Sequence, residues 1–283
     1  MIKYCVEYGG SMKKIIFISV SCLISLVIVR YLIFPNYIFL SSYNHGKSGL
    51  VNVNKVKSID LNECDNKEAK LKKISNCKNL KTLFITYNID NFNFLEGINI
   101  ESLYITSNCN DWESLECIKE IKELYINPMI SNDHSTFNDC SVLRKFHTIE
   151  ELTITNFNDE INYSGIEKLI CLKYLAINSS TIDFSDISFP DTVVNLQVQT
   201  GYYNKKSNLL INIHELEDTN IKNFSIWNSH ISDLSFVNLI SSIHTIEFHD
   251  CIFYETESQV NTVISDLKKK NVDIILENNT FSE

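Results

Sequence analysis

Residues at relative positions 1, 4, 6 and 9, in most copies three apolar side chains and then a small or polar one, recur along most of this chain. That periodicity constrains the fold more than any other feature. Val56, Ile59, Leu61 and Cys64 open the series, followed by Leu80, Leu83, Ile85 and Asn88, and by Ile100, Leu103, Ile105 and Asn108. Ile121, Leu124, Ile126 and Met129 come next, then Ile149, Leu152, Ile154 and Phe157, then Leu172, Leu175, Ile177 and Ser180. Val193, Leu196, Val198 and Gly201 lead to Ile221, Phe224, Ile226 and Ser229, to Ile243, Ile246, Phe248 and Cys251, and to a degenerate Asn271, Ile274, Leu276 and Asn279. The starts lie 24, 20, 21, 28, 23, 21, 28, 22 and 28 residues apart. Positions 4 and 6 alternate with polar neighbours, the period-2 signature of a half-buried strand. An Asn at position 9 suits a turn out of that strand, because its side chain hydrogen-bonds backbone groups. Each copy therefore predicts one strand, one turn and one return path. A single copy buries too few aliphatic side chains to offset the entropy of ordering its backbone, so the copies are expected to stack into a nearly one-dimensional array.

Gly 7 and Pro 3 are few for 283 residues, which leaves the turns to Asn, Asp and Ser. The stretch Asn228-Ser229-His230-Ile231-Ser232-Asp233-Leu234-Ser235-Phe236 before Ile243 resembles the short repeat of bacterial internalins, in which Asn-x-Ile-Ser-Asp-Ile opens the return path. The repeat periods also suit leucine-rich repeats. The resemblance covers about residues 56–281 and departs from the family in two ways. Position 9 is Asn only at Asn88, Asn108 and Asn279, and three spacings reach 28. It implies an α/β leucine-rich-repeat solenoid, a right-handed superhelix of about ten repeats with a concave parallel sheet. Residues 256–270 read as an amphipathic helix: Thr256 and Gln259 have capping-box spacing, Val260, Val263, Ile264 and Leu267 form the apolar stripe, and Lys268, Lys269 and Lys270 close the last turn. With the strand after it, this helix is the expected C-terminal cap, residues 252–281 of the 56–281 repeat domain.

Before the repeats, residues 15–29 are an uncharged apolar run containing eleven Ile, Leu, Val or Phe residues, and apolar character resumes after Arg30 as far as Phe34. Twenty residues of this kind match a bilayer core. Arg30 lies near one end and snorkels, and no small-residue cleavage site follows. The expected organisation is an N-terminal extension over 1–12, cytoplasmic or preceding a true start at Met12; one transmembrane signal anchor over 13–35; and a spacer over 36–55. Lys3, Lys13 and Lys14 flank the N-terminal side, which predicts a single-pass membrane protein with a cytoplasmic N-terminus and an extracytoplasmic repeat domain.

A formal charge of −10 argues against nucleic acid as a partner. The nine cysteines match neither a zinc site nor a regular disulfide framework; they read mainly as small buried apolar residues, with a bridge between Cys109 and Cys117 as an alternative. No Walker loop, nucleophile elbow or dinucleotide fingerprint is present, and His214-Glu215 fails as a zinc-protease motif because Asp218 stands where a second His belongs. No catalytic residues, metal or cofactor are expected.

In such a solenoid, positions 3, 5 and 7 of each copy point out of the sheet. Phe84, Tyr104 and Tyr125 at position 5, with Tyr87 nearby, predict an aromatic stripe across three strands. Exposed aromatics among adaptable polar neighbours suit protein recognition, although cross-strand stacking also stabilises a sheet on its own. Trp227 beside Glu247 and His249 is a second candidate patch. The Thr and Asn column at position 7 reads as a hydrogen-bonded ladder. The expected function is a membrane-anchored protein-binding module; a structural envelope component and a carbohydrate-binding surface protein are the alternatives.

Overall fold

The computed structural model of the protein describes residues 36–62, 68–128, 137–156, 160–201 and 209–282. The expected N-terminal extension and anchor lie outside these residues, as do Cys64, Met129 and Phe157. Among the described residues, no helix is long and apolar enough to cross a membrane.

The chain opens with β1 (Tyr37–Tyr43), β2 (Lys47–Asn52) and β3 (Ser58–Leu61), then α1 (Glu68–Ile74). It continues through β4 (Thr82–Ile85), β5 (Ser102–Ile105), β6 (Glu123–Ile126), β7 (Glu151–Asn156), β8 (Tyr174–Ser179) and β9 (Thr181–Asp183). Then come β10 (Asn195–Gln199), β11 (Leu209–Ile211), β12 (Asn223–Trp227), β13 (His230–Ile231), β14 (Thr245–His249) and β15 (Ile252–Thr256). Helix α2 (Glu257–Lys269), β16 (Asp273–Glu277) and β17 (Thr280–Ser282) finish the chain.

All ten repeat copies supply one strand each to a single long sheet, in which β3, β4, β5, β6, β7, β8, β10, β12, β14 and β16 lie side by side and parallel. The register follows the repeat, with Ile59, Leu83, Leu103, Leu124 and Leu152 as successive partners at position 4. Leu61, Ile85, Ile105, Ile126 and Ile154 do the same at position 6. These side chains are buried in one continuous core; in the last copy Ile274 and Leu276 are only half-buried, because no further rung covers them. An aliphatic rung is thus satisfied by its neighbours rather than by its own repeat.

The return paths carry short 3-10 turns. Asp139, Asp183 and Asp233 cap three of them, their carboxylates accepting from the N–H of Ser141 at 2.9 Å, Ser185 at 3.0 Å and Ser235 at 2.7 Å. The Asp233 cap lies inside the internalin-like stretch and gives it a physical reason. Position 9 acts as expected where it is Asn: Asn88 Oδ1 accepts from the Asn108 N–H at 3.1 Å, and Asn279 Oδ1 from the Cys251 N–H at 2.8 Å. Asn228, Asp250 and Asn278, one position earlier in three successive copies, have φ of 47°, 53° and 55°. Asn and Asp tolerate this left-handed region better than other side chains, which is how a glycine-poor chain turns its corners. After some of these corners a second sheet forms, β9, β11, β13, β15 and β17 lying parallel to one another.

Residues 36–55, expected as a spacer, instead belong to the folded body. β1 and β2 form an antiparallel hairpin, and β1 joins β3 through Tyr43 and Ile59. Ile38, Leu40, Val51 and Val53 are buried against the first repeat. Asn44 ties the hairpin turn down, its Oδ1 accepting from the N–H of Lys57 at 2.8 Å and of Ser58 at 3.1 Å while its Nδ2 donates to the Lys55 carbonyl at 2.9 Å. The hairpin covers one end of the array. The other end matches expectation more closely: Thr256 and Gln259 form a reciprocal capping box at the start of α2, and Val260, Ile264 and Leu267 are buried.

Candidate functional site

The outward columns of the long sheet stay in register, so residues far apart in sequence become neighbours. At position 5 the order is Asp60, Phe84, Tyr104, Tyr125, Thr153 and Ala176. Phe84 and Tyr104 stack with ring centroids 4.5 Å apart and planes 11° apart, and Tyr125 follows at 6.1 Å with a 39° tilt. Phe84 is 40% exposed, whereas Tyr104 and Tyr125 are half-buried. Tyr104 donates its hydroxyl to Glu123 at 3.1 Å, and Asn127 Nδ2 donates to the Tyr125 hydroxyl at 3.0 Å. Burial first, and then the adjacent Glu123 carboxylate, raise the Tyr104 phenol above its ordinary pKa. The stripe is therefore both a cross-strand stack and an open aromatic surface.

Tyr87 does not join it. At position 8 of its copy it sits beyond the strand, where the chain turns, and it is buried. Its even position puts it with the buried Leu83 and Ile85 rather than with Phe84, so nearness in sequence to the stripe misplaces it where alternation does not.

Trp227, Glu247 and His249 come together as expected, across β12 and β14. The indole and imidazole stack at 4.0 Å with planes 17° apart. The imidazole lies between two carboxylates, Nε2 being 3.3 Å from Glu247 and Nδ1 3.1 Å from Glu277, and Ser225 donates to Glu247 at 3.0 Å. His249 is buried, so this patch is a largely closed polar cluster, with the half-buried Trp227 at its edge and the Trp227 Nε1 donor without a hydrogen-bond partner among the described residues. Among the described residues, no group of three or more His, Cys, Asp or Glu is placed to hold a metal ion. The position 7 column is in part a ladder: Thr86 donates to the Leu61 carbonyl at 2.9 Å and Asn178 to Thr155 at 2.9 Å.

Two features escape a reading of the repeat alone. A cleft of about 340 Å³ opens between the hairpin turn and the first strands, lined by Tyr43, His45, Asp60 and Phe84 among others, so the aromatic stripe runs into a concavity. Sequence patterning misses it because the hairpin that forms one wall was read as spacer. The second is Glu123 and Glu151, cross-strand partners at position 3 beside Tyr104 and Tyr174. Their column is visible in the repeat, but neither acid stands out from the sequence as a candidate.

Cys77, Cys109, Cys117, Cys140, Cys171 and Cys251 form no disulfide, so Cys109 and Cys117 are not bridged. Burial pushes Cys109 up to about 12 and Cys117 up to about 11. Their sulfurs contact backbone carbonyls instead, Cys109 that of Asp111 at 3.3 Å and Cys117 that of Phe92 at 3.1 Å. His214 and Glu215 lie exposed on a return path, away from the open face.

No protein-family model and no curated protein matches the sequence. Among solved structures, an internalin C2 from Listeria monocytogenes is similar at 15% identity over 83% of this chain and 79% of that one, with a TM-score of 0.31. The architecture is leucine-rich-repeat-like. That statement stands on the ten-rung ladder and its register within this chain.

Proposed function

We propose that this chain is a recognition module that binds a protein partner on the open face of its long sheet, with no chemistry of its own. The observation that carries the reading is the ring stripe of Phe84, Tyr104 and Tyr125, which stays accessible on three adjacent strands and ends at the cleft beside Asp60. Large rings with hydrogen-bonding neighbours give contact area at small entropic cost, and such residues dominate binding hot spots. Loss of one hot-spot ring typically costs about 2 kcal/mol or more of binding. In this reading the apolar run over 13–35 tethers the module to a membrane, with the repeats displayed outside a bacterial-type cell.

The test compares the wild-type chain with a Tyr104→Ala and Tyr125→Ala double variant against a partner identified by cross-linking. Affinity is expected to fall at least about tenfold in the variant while its circular dichroism stays that of the wild type. Equal affinity in the two proteins removes the stripe from the mechanism.

A further inference from the structure

We infer that the open sheet face seats an extended polypeptide segment bearing arginine or lysine side chains, with the cross-strand pair Glu123 and Glu151 as its central anchor. This inference rests on the recognition reading above and names the class of partner. Over the ten copies, positions 3, 5 and 7 carry Asp60, Glu123, Glu151, Glu247, Asp273 and Glu277, and no Lys or Arg at all, in a chain with 25 basic residues. Position 2, on the rim, carries Lys57, Lys81, Lys122, Lys173 and Lys222 together with two acids, Glu101 pairing with Lys81 and Glu150 with Lys173 at 2.6 Å. The rim thus carries both signs, its acids already paired with lysines, whereas the face carries acids alone.

Glu123 and Glu151 are direct partners across β6 and β7. Like charges in that relation destabilise a sheet, and among the described residues neither carboxylate has a Lys or Arg ion-pair partner. Tyr104 gives Glu123 a single hydrogen bond, which leaves most of the acceptor capacity of the pair unused. The rings of Tyr104, Tyr125 and Tyr174 stand on the same and adjoining strands. A guanidinium or ammonium placed there gains charge-assisted hydrogen bonds from the carboxylates and a cation–π contact from the rings, and it removes the repulsion between the two acids.

The remaining acids place further stations along the same face. Asp60 lies at one end beside the cleft, and Glu247, Asp273 and Glu277 at the other, where His249 already neighbours two of them. Ten parallel strands about 4.8 Å apart span about 43 Å, the reach of roughly 13 extended residues. A segment with basic residues at several points along its length matches this distribution.

The experiment titrates the full chain, held in detergent, with fluorescent oligo-arginine, oligo-glutamate and glycine-serine peptides of equal length. The oligo-arginine peptide is expected to bind with an affinity that falls steeply as salt rises. A Glu123→Gln and Glu151→Gln double variant is expected to lose about tenfold. A Glu215→Gln and Glu217→Gln variant, with the same change in net charge on an exposed return path, stays within about twofold. Thermal unfolding of the first variant no lower than wild type shows that its fold is retained. Equal losses in both variants, or none in either, overturn the inference. If instead the acidic or neutral peptide binds and is lost in the Tyr104→Ala and Tyr125→Ala variant, recognition by the face stands and the cationic partner does not. If no peptide depends on either face variant, both readings fail.

Discussion

Gly165 has φ of +106°, and a Cβ built there lies 2.7 Å from the carbonyl oxygen of Cys140 on the neighbouring return path. Gly165→Ala therefore meets both backbone strain and a fixed backbone atom, and it is expected to destabilise the protein by about 1–3 kcal/mol in chemical denaturation. The buried thiols set a second residue-scale expectation. Burial raises Cys77, Cys117 and Cys251 to about 11 and Cys109 to about 12, against an ordinary value of 9.0. Because the folded-state values are the higher ones, the unfolded chain loses these protons first as pH rises. Their stabilising contribution is complete below about pH 9 and is lost as pH climbs toward 11–12, so the urea midpoint should fall over that window. Replacing Cys109 and Cys251 with Ala should flatten the decline. Single residues were the least legible scale in the sequence. Nearness in sequence groups Tyr87 with the stripe, whereas its even position already sets it apart from the half-buried Tyr104.

At the scale of elements, the strands were the most legible part, because a buried rung must repeat wherever a copy restarts and the aliphatic spacing records it. The N-terminal hairpin was less so, although its signals were present: Ile38 and Leu40 alternate, and Asn44-His45-Gly46 is a turn sequence, all three residues having positive φ. It lies outside the repeat period, and it covers the first rung so that Ile59 and Leu61 do not face water. Asn44→Ala removes a side chain that makes three hydrogen bonds to the segment entering β3. A loss of about 1–3 kcal/mol is expected. Hydrogen exchange should then speed up over Tyr37–Leu61 more than over α2, because stability in a stacked array is passed between nearest neighbours. Uniform acceleration along the whole chain would contradict a local cap.

For the whole molecule, one geometric fact underlies both the fold and the proposed binding surface: ten strands in a single register bury one parity of side chain and turn the other onto the open face, where most of it stays accessible. The open face was legible as columns of residues, and Phe84, Tyr104 and Tyr125 proved adjacent as the spacing predicted. The contrast between an acid-only face and a rim of paired lysines and acids emerges only once position 2 is placed outside the strands. The most direct test is a cysteine scan along β10, whose burial alternates through Asn195, Leu196, Gln197, Val198 and Gln199. Each residue is replaced singly by Cys in the full chain, and its labelling by a polar thiol reagent under native conditions is read by mass spectrometry. Labelling is predicted at 195, 197 and 199, with protection at 196 and 198 until the protein unfolds. Equal labelling at all five positions, or the opposite parity, would contradict the ladder and with it the face on which recognition depends.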